Sequence, residues 1–206
     1  MIAGIIATKA NLLRNKKTLA LAREGYSLLD EKRAILMNEL SSVAQATDHL
    51  QRETFVILEE AYENLEKAVV AVGKRGLESL SFSVDIKNEL SISQRRLMGV
   101  NVPVIKAQIK ENPPYFSGGR VSFYVDETIV KFRQALELLS GLSQRKIELL
   151  RLARELQRTI RKVNALEKIY IPYYRDAVKT ISDRLDEESR EAFLMLKLIK
   201  EKLNVD

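Results

Sequence analysis

The sequence predicts an all-α-dominated fold, a long antiparallel two-helix coiled coil formed by the N- and C-terminal helices, with a small β-hairpin module in the middle of the chain. Three observations predict it. Helix breakers are concentrated centrally: five of the eight Gly and three of the four Pro fall between Gly73 and Gly119, so the flanks can run as uninterrupted helix. Both flanks repeat apolar or small residues at alternating steps of three and four, the narrow seam of a coiled coil and not the broad stripe of a globular-domain helix. The middle changes to a period of two, which belongs to strand. The expected organisation is a helix over 8–73, a middle module over 74–124 with its hairpin at about 90–107, and a second helix over 125–203.

The first helix is expected to start at Thr8, whose hydroxyl can accept a bond from an unpaired first-turn N–H. Its seam runs Leu12, Leu19, Ala22, Tyr26, Leu29, Arg33, Leu36, Leu40, Val43, Thr47, Leu50, Thr54, Ile57, Ala61, Leu65, Ala68, Val72. One extra step of four, from Ile57 through Ala61 to Leu65, is a stutter. Leu12 to Val72 is 61 residues, roughly 90 Å of helix at about 1.5 Å per residue.

In the middle, Leu80, Phe82, Val84, Ile86, Leu90 and Ile92 alternate with mostly polar neighbours, and Val100, Val102 and Val104 continue beyond Met98-Gly99. Strands over 90–97 and 100–107 with a turn at Met98-Gly99 follow. A lone hairpin is marginal in water, so it should pack on the helices or on a partner. Residues 111–120, with the glycine pair Gly118-Gly119, read as a loop.

The second helix is expected to be capped at Asp126. Its seam reads Ile129, Phe132, Leu136, Leu139, then Leu149, Ala153, Leu156, Ile160, Val163, Glu167, Tyr170, Tyr174, Val178, Ile181, Leu185, Glu188, Ala192, Met195, Ile199. Gly141 weakens the pattern near its start. Pro172 removes an N–H and crowds the preceding turn, which predicts a helix kink there and not a break, because the seam resumes beyond it.

Charge suggests a register. Residues 52–67 hold two basic and five acidic side chains, and 142–168 hold eight basic and three acidic ones. Residues 9–33 hold seven basic and three acidic, and 183–191 two basic and five acidic. If opposite signs meet, 52–67 lies near 142–158 and 9–33 near 177–201. A parallel homodimer would place like charges side by side. Several large apolar residues, among them Ile35, Met37, Phe55, Val56, Val70, Ile169, Ile171 and Phe193, fall outside the seams. Either a third helical layer from the middle region or other protein subunits would cover them.

Chemistry is sparsely supplied. The chain of 206 residues has one histidine, His49, no Cys and no Trp. That excludes disulfides, a thiolate zinc site and a His-rich metal centre, and His49 reads as an ordinary helix-surface residue. No phosphate-cradling glycine motif occurs. No catalytic residue, metal or cofactor is expected. The apolar stretch Met1–Ala7 is too short to cross a membrane and has no basic region before it. A cytoplasmic or cytoplasm-facing protein with no direct membrane insertion is the expectation. The net charge of +6 permits nucleic-acid binding, but the signs are mixed and no reading motif accompanies them. No nucleic-acid partner is expected.

The ends carry a resemblance. Thr8-Lys-Ala-Asn-Leu-Leu-Arg14, Lys16-Lys17, Leu19, Leu21-Ala22, Gly25, Leu28-Leu29 and Lys32-Arg33 resemble the opening of the D subunit of V-type and archaeal A-type ATPases. Arg161-Lys-Val-Asn-Ala-Leu-Glu167 with Ile171-Pro172 resembles that family's V-N-A-L-E…I-P segment. Leu185-Asp-Glu-Glu-Ser-Arg-Glu191 with Leu196-Lys197 resembles its ending, and Met98-Gly-Val-Asn-Val-Pro103 its hairpin. Ala7 departs from a frequent Pro, Asn15 from a frequent Leu, and Ala34 from a frequent Asp.

The resemblance implies a non-catalytic central-stalk rotor shaft, coupling ATP synthesis or hydrolysis to proton or sodium transport. It implies as partners the catalytic A and non-catalytic B subunits around both chain termini, the small F subunit, and the membrane-side C/d socket subunit near the hairpin end. The implied ring contacts are Lys9, Arg14, Lys16, Lys17 and Arg23, and the implied hairpin docking residues are Met98, Gly99, Val100, Val102 and Pro103. The alternative is a generic helical-hairpin scaffold or export-apparatus stalk. A plain scaffold hairpin, however, has no reason to carry the strands and loops of 74–124.

Overall fold

Helix α1 runs unbroken over Lys9–Val72. Its first turn is capped as the sequence predicts: the Asn11 N–H donates to Thr8 Oγ1 at 3.2 Å. The helix stops where Gly73 adopts a positive φ of 81°, a conformation that glycine reaches without a Cβ penalty. The computed structural model describes residues 6–84, 86–111, 113–117 and 121–203. Gly118 and Gly119, read as a turn, lie outside them.

A short helix follows, α2 over Lys74–Ser81. Here the structure departs from the alternation: Leu80, its first residue, is helical, and Phe82 and Val84 lie before β1, outside any strand. Leu77 and Leu80 are three apart, so both reach one side of α2. There they line an apolar hollow with Leu65, Phe132 and Leu136. Two residues of alternation cannot distinguish that helical pair from a strand start.

Strands β1 (Ile86–Leu97) and β2 (Val100–Glu111) form the antiparallel hairpin. The turn falls at Met98-Gly99 as expected, and both residues have positive φ, 50° and 81°. That is the type I′ turn whose twist suits a two-residue hairpin. Each strand extends four residues beyond the predicted span. The ladder runs from Leu97↔Val100 out to Ile86↔Glu111.

Helix α3 spans Phe123–Ala165. It starts earlier than predicted. The Val125 N–H donates to the Ser122 carbonyl, so Asp126 lies in the first turn, where its charge favours the helix N-terminus, and is not the cap. Residues Leu166–Tyr170 form a single π-helical turn, closed by the Ile171 N–H donating to the Leu166 carbonyl. Helix α4 covers Ile171–Leu203. Pro172, the residue predicted to kink the helix, is therefore the second residue of α4, directly after the π turn. The wider turn accommodates a residue that has no N–H and whose ring would crowd the carbonyl four residues before it.

The chain divides into two compact units, 36–155 and 1–35 with 156–206. In the first, α1 and α3 run antiparallel. Glu60 accepts from Lys131 Nζ, Tyr62 meets Phe132 edge-on at 5.5 Å between ring centroids, and Leu50 faces Gly141. As α1 numbers rise, α3 numbers fall. The buried line is Leu36, Val43, Thr47, Thr54, Ala61 and Ala68 from α1, with Val125, Thr128, Ala135, Leu142 and Leu152 from α3. Each buried threonine at 47, 54 and 128 donates its hydroxyl to the carbonyl four residues earlier at 2.6 Å, so burial leaves no unpaired donor.

In the second unit the core is Leu156, Thr159, Val163, Ala177 and Ile181, with half-buried Leu12, Leu19, Ala22, Tyr26 and Leu29 on α1. Arg14, Asn15 and Thr18 share one hollow with Tyr173 and Tyr174.

The charge-based register is overturned. Glu60 meets Lys131, not the stretch 142–158, and residues 11–18 meet 173–174, not 177–201. The displacement is about five helical turns at about 3.6 residues per turn. Seam burial decides it. A core leucine contributes roughly 2–5 kcal/mol, whereas an exposed ion pair contributes about 0–1 kcal/mol. Every seam position predicted on α1 is buried or half-buried. On α3 and α4, however, Leu136, Leu139, Glu167, Tyr170, Glu188, Ala192, Met195 and Ile199 are exposed. Glu167 and Tyr170 leave the seam because they sit in the π turn.

Two stability outcomes follow, read by thermal or urea unfolding. Leu36→Ala and Leu152→Ala, both 0% exposed, should each cost about 2–5 kcal/mol, whereas Leu150→Ala, 56% exposed, should stay within about 0.5 kcal/mol. Equal losses at all three would contradict the seam. Gly141→Ala should stabilise by up to about 1 kcal/mol through helix propensity, because the new Cβ would meet Leu50 Cδ2 at an ordinary 3.7 Å.

Candidate functional site

Among the described residues no group of three or more His, Cys, Asp or Glu is placed to hold a metal ion. None of their helices is long and apolar enough to cross a membrane. His49 is a surface residue of α1 with its side chain 85% exposed, 4.0 Å from Glu53 one turn on. Three surfaces hold the residues singled out from the sequence.

The first surface is basic. Lys9, Arg14, Lys16, Lys17 and Arg23 are all exposed. Lys9, Lys16 and Arg23 are spaced by seven and share one side of α1. Among the described residues none of the five basic side chains forms an ion pair. The corrected register explains this. Opposite 9–33 stand residues at about 158–182, which hold six basic and two acidic side chains. Basic faces basic, so the outer surface of this unit is strongly positive.

The second surface is only partly legible in the sequence, which singles out Phe193 as apolar outside the seam but places Met195 and Ile199 in it. The described side chains from Asp186 to Lys200 are all exposed. Phe193, Leu194, Met195, Leu196, Leu198 and Ile199 are each more than half exposed. They are the apolar run of α4 beyond its packed part. The signal was present, because the run Phe-Leu-Met-Leu-Lys-Leu-Ile is too apolar all round for a two-helix seam. Assigning Met195 and Ile199 to the seam hid it.

The third surface is the hairpin. Of its five predicted docking residues, Met98, Gly99 and Val100 lie at the turn, while Val102 and Pro103 are buried within the unit. Val102 and Pro103 are therefore covered within the unit and present nothing outward. Three polar contacts tie the hairpin to α3, and a fourth, Arg145 to Glu148, supports them from within α3. The buried Glu148 carboxylate accepts from Arg95 at 3.5 Å and from Arg145 at 3.3 Å. The Ile105 N–H donates to Gln144 Oε1 at 2.8 Å, and Arg151 donates to the Asn101 carbonyl at 2.6 Å. Gln144, Glu148 and Arg151 are spaced four and three apart, one face of α3. Their long-range partners are visible only in the fold.

The comparisons with known proteins agree over nearly the whole chain. The family model for the ATP synthase D subunit matches residues 11–201. The A-type ATP synthase D subunit of Thermococcus sibiricus is 39% identical over 202 residues, 97% of this chain and 94% of that one. The V-type ATP synthase D subunit of Thermotoga neapolitana is 34% identical over 200 residues, covering 97% and 98%. The A-type D subunit of a Desulfurococcus species is 38% identical over 202 residues, covering 97% and 94%.

The hairpin clamp has a measurable consequence. Glu148→Ala should destabilise by about 1–2 kcal/mol, because its two arginine partners are partly exposed and can turn to water. The loss should concentrate in the hairpin. Amide exchange of residues 91–106 should accelerate more than that of the α1 seam, and uniform acceleration would contradict a local clamp.

Proposed function

Because the chain belongs to the ATP synthase D-subunit family, we propose that it is the central rotor shaft of a V/A-type ATPase, a non-catalytic subunit that couples ATP synthesis or hydrolysis in the A/B ring to rotation and to proton or sodium transport. The observation that carries this reading is the state of the unit holding both chain ends. Its helices are positive on both strands of the pair, and its α4 runs on past its packed part with six large apolar residues uncovered. Such a surface is incomplete alone. A surrounding ring of subunits completes it, with apolar contacts at α4 and acidic loops around Lys9, Arg14, Lys16, Lys17 and Arg23.

A shaft needs stiffness and asymmetry and no catalytic side chain. Stiffness comes from continuous helix with a close-packed seam. Asymmetry comes from a body whose faces differ, so that equivalent ring sites meet different faces and bind nucleotide differently. The F subunit and the C/d socket subunit are the further partners of this reading. The protein works in the cytoplasm, peripheral to the membrane.

The collar should act through many weak contacts, since exposed pairs are worth about 0–1 kcal/mol each. A single Lys→Ala change should therefore do little. Reversal of Arg14, Lys16 and Lys17 together to Glu should keep the fold but reduce ring assembly or the coupling of hydrolysis to rotation. Reconstitution with A, B and F subunits at low and moderate salt measures this. Wild-type assembly, rate and torque at both salt levels would leave the collar as a solvated face.

A further inference from the structure

The two edges of the hairpin are treated differently by the rest of the fold. The Met98-Gly99 turn places Leu97 and Val100 as a hydrogen-bonded pair, and the ladder alternates from there. Arg96↔Asn101, Gln94↔Pro103 and Ile92↔Ile105 are thus the pairs whose backbone N–H and C=O groups point outward. On β2 the outward edge is closed. Asn101 gives its carbonyl to Arg151, Pro103 has no N–H to offer, and Ile105 gives its N–H to Gln144. On β1 the matching groups of Ile92, Gln94 and Arg96 meet no hydrogen-bond partner among the described residues.

Edge strands are normally guarded by lysine, proline, a bulge or a covering element. β1 has none of these from Leu90 to Gln94: the residues are Leu, Ser, Ile, Ser and Gln, and all are exposed. Leu90 and Ile92 are 56% and 69% exposed and, two apart, lie on one face. An open edge with an exposed apolar pair is a template for strand addition.

We infer that the β1 edge accepts an extended segment of another protein subunit as a third strand. Charge narrows its chemistry. The hairpin strands carry five Lys or Arg and two Glu. One of those Glu, Glu89, is held by Lys110 at 2.7 Å, and Arg95 is taken by Glu148. Among the described residues, Arg96 has one hydrogen-bond partner, the Asn101 side chain at 3.3 Å. The added strand therefore has apolar residues at alternate positions over Leu90 and Ile92 and a carboxylate beside Arg96. The inference rests on the chain working inside a multi-subunit assembly.

The test compares amide exchange in the isolated chain and in the intact ATPase purified from native membranes. In the isolated chain the outward amides of Ile92, Gln94 and Arg96 should exchange fast, and the inward amides of Ser91, Ser93 and Arg95 slowly. In the assembly the outward set should slow by about tenfold or more. Ile92→Pro removes one outward N–H that the hairpin ladder does not use. It should weaken retention of this chain in the assembly about tenfold while leaving Ser91 and Ser93 protected. Should that variant unfold the hairpin, Ile92→Lys, which guards the edge without touching the backbone, must give the same weakening. Outward amides that stay fast in the assembly overturn the inference, as does an unaffected Ile92→Lys assembly. Slow outward amides in the isolated chain, rising with concentration, would mean a second copy fills the edge and also overturn it. If this chain fails to co-purify with ATPase subunits at all, the rotor reading itself fails first.

Discussion

A narrow buried seam sets everything else in this protein. Within residues 36–155, Ala61, Ala68 and Ala135 and the threonines at 47, 54 and 128 are buried, which is what lets two helices approach closely. A shift of register by one turn would carry these small residues opposite large ones, opening voids at some levels and overpacking others. The threonine hydroxyls bond within their own helix. The seam therefore asks no polar complementarity of its partner, only shape.

Once shape sets the register, charge must accept the result. Around 9–33 and 158–182 that result is basic beside basic. Exposed like charges at these separations cost little in water and are screened at physiological salt, so the fold tolerates them. It also leaves the last part of α4 exposed, from Asp186 to Lys200. Positive sides and an uncovered apolar end are poor features for a protein that acts alone and useful ones for a shaft enclosed by other subunits. The hairpin follows a different logic. Glu148 is almost fully buried because β1 and α3 close over it, and its charge is matched by Arg95 and Arg145. The hairpin is thereby attached through the Arg95 side chain of β1 and the outward backbone edge of β2, which leaves the outward backbone edge of β1 open among the described residues.

Much of this was legible in the sequence. The α1 seam, the Thr8 cap, the Gly73 stop and the Met98-Gly99 turn are local: each depends on residues within a turn or a few positions of one another, and each is found as read. The family was legible from its end motifs, and the match over residues 11–201 shows it. What failed was non-local. Opposite net charges on 52–67 and 142–158 suggested a register that seam packing overrides. Leu80 looked like strand because one helical turn offers too few residues to show its period. The π turn at Leu166–Tyr170 was foreshadowed by Pro172, but its removal of Glu167 and Tyr170 from the seam was not. Met195 and Ile199 fit the seam spacing yet are more than half exposed, which spacing alone does not reveal. The Gln144, Glu148 and Arg151 face was invisible because its partners lie about forty to fifty residues away on the hairpin.

The central claim is that this chain turns inside a ring of stationary subunits. The chain contains no cysteine, so Met98→Cys at the exposed hairpin turn supplies a single attachment point for a bead. With the A and B subunits of the reconstituted complex fixed to a surface, ATP should drive the bead in one direction through discrete steps, at a rate set by nucleotide concentration. Steady ATP hydrolysis with a bead that only fluctuates about a fixed angle would contradict the account.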